Sequence, residues 1–261
     1  QHGPIDLIIT AQGARAAAFA AATHRFETIL PELVSELTRL RCPLTPEPFC
    51  GPTARRMARA VSAHDGFVTP MAAVAGAVSD EILAAMISAA TLSRAAVNNG
   101  GDIALHLAPG ESFTLAMASG QNRDLGRITL SAKDGIGGVA TSGRHGRSLS
   151  RGIADSVTVL AKDAASADVA ATLIANAVDL AGHPAIARAP ANTLDPDSDL
   201  GDRLVTTGLG PLPDSDCDRA LNAGVQRAQG MIARGQISGA ALVLGPRTRT
   251  IGAAQSPALA E

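Results

Sequence analysis

With 261 residues, 46% of them hydrophobic and 18% charged, the chain is long enough to bury a sizeable core and has the composition of a soluble globular protein. A formal net charge of −2 argues against a nucleic-acid binder, which would present a basic face. No run of about 18 apolar residues stands out, so no membrane-spanning helix is expected. The chain has five Phe, no Trp and no Tyr, so a planar ligand would have to lie against aliphatic, Arg or His surfaces. Cys42, Cys50 and Cys217 are odd in number and irregular in spacing, which fits neither a disulfide framework nor a zinc site. A reducing cytoplasm is the simplest home. The sequence opens on Gln1 rather than Met, so a targeting segment ahead of it stays open.

Ile5 to Thr10 reads as an apolar strand. From Ala11 to Leu40 apolar residues recur at helical spacing, with Pro31 expected to kink or divide the helix. Four prolines between Cys42 and Pro52 predict a loop, and residues 54 to 64 a short basic helix. Thr69 is placed to cap a helix from Met71 to about Ala90, with Pro70 at its first position. In that helix Ala72, Ala73, Ala75, Gly76 and Ala77 form a stripe of small side chains that lets another backbone or a ligand approach. Asp80 and Glu81 follow one turn later, and Glu81 is expected on a solvated face.

Between the apolar flanks Val97 and Ile103 stand Asn98, Asn99, Gly100, Gly101 and Asp102. These form either a hairpin turn or a bulged loop that brings backbone amides, Asn99 and Asp102 to a ligand. Phe113 to Ala118 and Arg127 to Ala132 read as strands joined by a turn from Gly120 to Leu125. A short strand then ends in Ala140, Thr141, Ser142 and Gly143. A loop follows that is rich in arginines and hydroxyls, then a strand from Ser156 to Ala161 and a helix opening near Ser166, its expected cap.

That loop reads as an anion site. Arg144, Arg147 and Arg151 supply permanently charged forks that match phosphate or carboxylate oxygens. Ser142, Ser148 and Ser150 add neutral donors, Gly143, Gly146 and Gly152 allow close backbone approach, and His145 among these cations is expected neutral near pH 7. On the following helix Asp168 and Thr172 are four apart, so carboxylate and hydroxyl share a face near the helix start. An acid there stabilises a positive helix end, and equally it offers oxygens to Mg²⁺ that also holds ligand phosphates.

Residues 180 to 212 read as loop-rich. The run from Asp195 to Asp202 has the look of a calcium loop, but its glycine stands one place late and Thr206 occupies the twelfth position. A helix from Asp216 to Arg234 and strands near Ala240 to Leu244 and Arg249 to Ile251 complete the pattern, with 253–261 a flexible tail.

Taken in order, V-N-N-G-G-D-I-A-L, A-T-S-G-R-H-G-R-S and A-D-V-A-A-T-L-I resemble the ApbE-like superfamily, specifically its bacterial and archaeal branch of small proteins, over nearly the whole chain. The resemblance implies a single α+β domain, residues 1 to 252, of antiparallel sheets covered by helices. The better-known members are FAD:protein FMN transferases, which use Mg²⁺ to split FAD and attach FMN to a Thr hydroxyl of a partner protein. Carried over, Gly100, Gly101, Asp102, Thr141, Ser142 and Gly143 become cofactor-binding positions, joined by Asn99 from the bulged-loop reading, and Asp168 and Thr172 the metal ligands. Arg144, Arg147 and Ser148 are added from the loop reading, with His145 as the acid–base candidate and Asp155 as a further catalytic position, a candidate to join Asp168 and Thr172 at the metal. The chain departs where the transferases have Lys-Gly, here Ala75-Gly76, and where they have His-Ile-Ile-Asp-Pro, here Gly152 to Ser156, which keeps only the acid.

Two classes follow. One is a Mg²⁺-dependent transferase acting on a flavin nucleotide, FAD or FMN, or on another anionic phosphorylated small molecule. The other is a non-catalytic or assembly protein with a protein partner, since some archaeal relatives are linked to sulfur incorporation during homocysteine formation. Close-packed small-residue helix faces also lead us to expect a homo-oligomer, a homodimer in the simplest case.

Overall fold

The computed structural model describes residues 1–118 and 124–255. It divides into two compact units. The first holds Gln1–Leu115, Thr129–Ala140 and Leu160–Val169, and the second holds Ala116–Ile128, Thr141–Val159 and the chain from Ala170. Throughout, helices accompany antiparallel strand pairs, the α+β class expected.

In the first unit β1 (Leu7–Gly13) leads into α1 (Arg15–Ser35), α2 (Leu37–Leu40), α3 (Pro52–Ser62) and α4 (Val74–Ala89). Then come β2 (Leu92–Asn99), β3 (Asp102–Leu107), β4 (Ser112–Ala118), β5 (Asp124–Ser131) and β6 (Gly138–Ser142). Of β4, β5 and β6, as of β7 (Ser156–Ala161) and α5 (Ala164–Ala177), only part of the length belongs to this unit. β1, β2 and β3 form an antiparallel meander, extended to β6 through Ile103 opposite Val139. The core of this unit is built from α1 and α4 side chains such as Ile29, Ile82 and Met86 against Val97 and Ala104, all fully buried.

Several expectations change here. α1 is not divided at Pro31, which removes only one helical hydrogen bond while buried Ile29 and Leu33 hold the turns on either side. The helix ends at Ser35 instead, where the Glu36 amide donates to the Leu33 carbonyl at 3.3 Å. Thr69 makes no side-chain cap; Pro70–Ala73 form a 3-10 turn ahead of α4. The stretch from Pro70 to Ala89 is, by length and composition alone, apolar enough to cross a membrane, which corrects the reading that no such run exists. Its buried residues, Asp80 among them, belong to the core of this unit. Glu81 is not on a solvated face: it accepts from Arg25 Nε at 3.1 Å and Arg56 Nε at 2.6 Å, tying α4 to α1 and α3.

The second unit adds β8 (Ile186–Pro190), α6 (Ala191–Leu194), β9 (Leu204–Leu209), α7 (Asp214–Ala233), β10 (Gly239–Leu244) and β11 (Arg247–Gly252). β7, β10 and β11 are successive neighbours in its sheet, with Gly245 (φ +57°) and Pro246 turning between the last two. α7 packs on this hairpin through buried Leu221 and Met231. The segment read as loop-rich contains the antiparallel pair β8 and β9, whose short strands carry little alternation. Among the described residues no group of three or more His, Cys, Asp or Glu side chains is arranged to hold a metal, and the Asp195 to Asp202 run folds as turns. Ala253–Gln255 form a 3-10 turn with Ala254 buried; the rest of the expected tail, and positions 120–123 of the expected turn, lie outside the described residues.

Candidate functional site

The small-residue stripe of α4 brings it against the start of α5. A Cβ on Gly76 would lie 2.3 Å from the Ala164 carbonyl oxygen, so only glycine permits this approach. At that contact the two helices cap each other. Asp80, on α4, accepts the amides of Ala164 (3.0 Å) and Ala165 (2.9 Å) at the start of α5. Asp168, on α5, accepts the Gly76 amide at 3.0 Å in the first turn of α4. These are orphan donors at two positive helix ends, each met by a carboxylate from the other helix. The local cap of α5 is Asp163, which accepts the Ser166 amide at 2.8 Å, and not Ser166 as expected.

The hairpin turn joins the same cluster. Asn99 pairs with Asp102 across a two-residue turn of Gly100 (φ +67°) and Gly101 (φ +113°), so the tight-turn reading holds over the bulged loop. Buried Asn99 donates through Nδ2 to the Ala75 carbonyl at 3.3 Å, and the Asp102 carbonyl accepts from Ser79 Oγ at 2.8 Å. Asp80, Asp102 and Asp168 therefore gather at one place. Burial, which the amide hydrogen bonds only partly offset, pushes the Asp80 carboxyl up to about 6. Burial and then the Asp102 charge hold the Asp168 carboxyl well above the usual range.

The second unit holds the residues of the basic loop. Gly143 sits at φ +155°, and a Cβ there would lie 2.4 Å from the Asp155 carbonyl oxygen. The Arg144 amide donates to Ala154 and the Gly146 amide to Gly143, giving the loop its own backbone frame. At its centre is Asp155: Oδ1 accepts from Arg144 Nε (2.8 Å) and His145 Nε2 (3.2 Å), and Oδ2 accepts from the Gly245 amide (2.6 Å). Arg144, read as an anion clamp, thus has an internal carboxylate partner. A carboxylate only accepts, so His145 carries its proton on Nε2 and its Nδ1 is the basic nitrogen. Thr141 Oγ1 shares a hydrogen bond with Thr158 Oγ1 at 2.9 Å. Ser142 and Thr172 are half-buried, and Arg147 and Ser148 are exposed.

Asp155→Ala is expected to release Arg144, His145 and Gly245 together. The cost is about 2 kcal/mol, since the lost bonds are charge-assisted and largely out of water. Trypsin cleavage after exposed Arg147 should accelerate, and an unchanged digestion rate would show the loop to be held by its backbone alone.

Sequence reasoning missed the reciprocal caps. The usable signal was the four-residue spacing of Gly76 and Asp80, which puts the acid on the face that glycine opens.

A 129-residue stretch is 39% identical to a UPF0280 protein of Methanosarcina acetivorans, covering 48% of this chain and 49% of that one. Over 130 residues it is 39% identical to a UPF0280 protein of Methanothrix thermoacetophila, covering 49% and 52%. The chain thus spans about half the length of the relatives it matches. Among solved structures, the apo flavinyl transferase ApbE of Pseudomonas stutzeri aligns with a TM-score of 0.37 and 15% identity over 93% of this chain and 75% of that one. The flavin transferase ApbE of Vibrio cholerae gives the same score and identity over 93% and 74%. The sequence profile described as AbpE bacteria matches residues 1–254, and the chain belongs to that family.

Proposed function

We propose that the protein is a Mg²⁺-dependent transferase acting on a flavin nucleotide or another phosphorylated small molecule. The observation that carries this reading is the first unit's acid cluster, where Asp168 is held among Asp80 and Asp102 with its carboxyl raised by burial and like charge. Perturbation of that kind is common at functional sites. The donor set fits a hard cation. Asp80 spends both oxygens on amides, Asp168 faces the amides of Gly76 and Ala75, and Thr172 follows one helical turn later on α5. One carboxylate and one hydroxyl suit Mg²⁺, which keeps waters and takes ligand phosphates for its remaining positions. When bound, such an ion neutralises charge on phosphate oxygens during transfer.

Each unit, taken by itself, also carries features that suit an anionic ligand. Gly100 and Gly101 present a backbone turn with no side chains in the way, fixed to α4 through Asn99. In the second unit Arg147 and Ser148 offer donors to an anion, and His145, its tautomer set by Asp155, supplies an acid or base.

The test is thermal unfolding with Mg²⁺ and FAD, FMN or ADP. A ligand at about 100 times its Kd should add roughly 2.7 kcal/mol. Asp168→Ala should erase the part of the gain that requires Mg²⁺; a gain that persists unchanged in that variant defeats the metal assignment. Because the chain has no Trp or Tyr, a co-purifying flavin would also stand out in its absorption spectrum.

The reciprocal capping favours a second reading, in which Asp80 and Asp168 simply clamp α4 to α5. The stability of Asp168→Asn at pH 8 separates the two.

A further inference from the structure

Within the first unit a cavity of about 500 Å³ is lined by Ile9 to Gln12 of β1, Ser112 to Thr114 of β4, Arg15 and Arg94. Successive strand residues point to opposite faces, so four in a row lining one cavity place it along the strand's edge. The same holds for the three residues of β4. Both strands are open on one side: β1 ends its sheet with β2 as its neighbour, and β4 pairs with β5 in a two-stranded sheet. The cavity is thus a slot lined by β1 and β4, into which Arg94 of β2 reaches.

The sequence of β1, Leu-Ile-Ile-Thr-Ala-Gln-Gly, has none of the charges or prolines that keep open edges from pairing. Ile8, at its start, is 68% exposed. Charge selects what pairs there. Two arginines and no acid line the slot. Arg94 is already engaged, with Nε donating to Gln12 Oε1 at 3.0 Å, Nη1 to the Ser112 carbonyl at 3.0 Å, and Glu111 at 3.5 Å. Exposed Arg15 lies over the Phe19 ring, 4.8 Å from its centroid. Among the described residues no ion pair of Arg15 is seen, so it carries the slot's positive charge.

We infer that this slot binds an extended, acidic segment of a partner polypeptide, which adds a strand to the edge of β1 and places a carboxylate on Arg15. The backbone edge supplies hydrogen bonds to any extended chain, and the guanidinium sets the preference for acid.

Two blocked pentapeptides, Val-Glu-Val-Glu-Val and its Lys counterpart, test this against the ¹⁵N-labelled protein, with inorganic phosphate as a third probe. The acidic peptide should shift the amide signals of Thr10, Ala11 and Gln12 saturably, and the basic peptide should not. Arg15→Glu, an acid at a helix start and so compatible with the fold, should weaken the acidic peptide by about tenfold or more. Equal binding of both peptides, or unchanged binding by the variant, overturns the inference. So does phosphate that shifts the same amides and displaces the peptide, which would make the slot a small-anion pocket. Concentration-dependent dimerisation that closes the slot to either peptide would assign the edge to a second copy of this chain and overturn it too.

Discussion

Gly76→Ala is expected to lower stability by about 3 kcal/mol, the upper range for overpacking a well-filled interior. The added methyl would meet Ala164 O at 2.3 Å, Ala164 C at 2.5 Å and Ala165 N at 2.7 Å, all backbone atoms with no rotamer to change. Relief requires α4 and α5 to separate. That movement pulls Asp168 from the Gly76 amide and Asp80 from the amides of Ala164 and Ala165, so steric and hydrogen-bond losses come together. Gly210→Ala is the matched control. Its added Cβ would make ordinary contacts of 3.6 Å and longer with Ala185, and the cost should stay within about 0.5 kcal/mol. Urea titration of both variants decides. Equal midpoints would mean that the helix contact tolerates expansion and that the small-residue stripe has another purpose.

What the sequence makes legible here is local. Ser156 to Ala161 is a continuous apolar and β-branched run that folds as β7 with the expected ends. Asn99-Gly100-Gly101-Asp102 folds as the tight turn its glycines favour. The failures are of two kinds. β8 and β9 go unread because Arg188 and Thr206 are spent on Asp179 and on the Gly152 carbonyl, so polar residues occupy strand positions for reasons that lie elsewhere in the chain. Long-range pairing is the second kind. Asp80 caps a helix 84 residues away, and Glu81 draws its cations from α1 and α3, so neither role shows in any local window. The same limit applies at the basic loop. Spacing shows that arginines cluster there, but not that Arg144 and His145 share Asp155.

Asp168→Asn is expected to stabilise the metal-free protein at pH 8, where a clamp made of two carboxylates would be weakened by the same change. The carboxyls of Asp80 and Asp168 are both raised in the folded state, Asp80 from 3.8 to about 6. Between those values the folded protein holds a proton that the unfolded chain releases. The stability associated with Asp80 is fully present below about pH 4 and is lost as pH rises through about 6. For Asp80 the loss amounts to about 3 kcal/mol, part of the tension that the helix ends offset. Asparagine at 168 keeps an oxygen for the Gly76 amide while removing the charge that opposes Asp80 and Asp102. Relief on the order of 1 kcal/mol should follow, a rise of roughly 2–4 °C in Tm for a chain of this size, together with a shallower fall in stability between pH 4 and 7. A site that is more stable without its carboxylate is one whose charge is kept for a ligand. If Asp168→Asn instead loses stability at pH 8 and leaves the pH slope untouched, the acids are a structural clamp and the cation site falls with them.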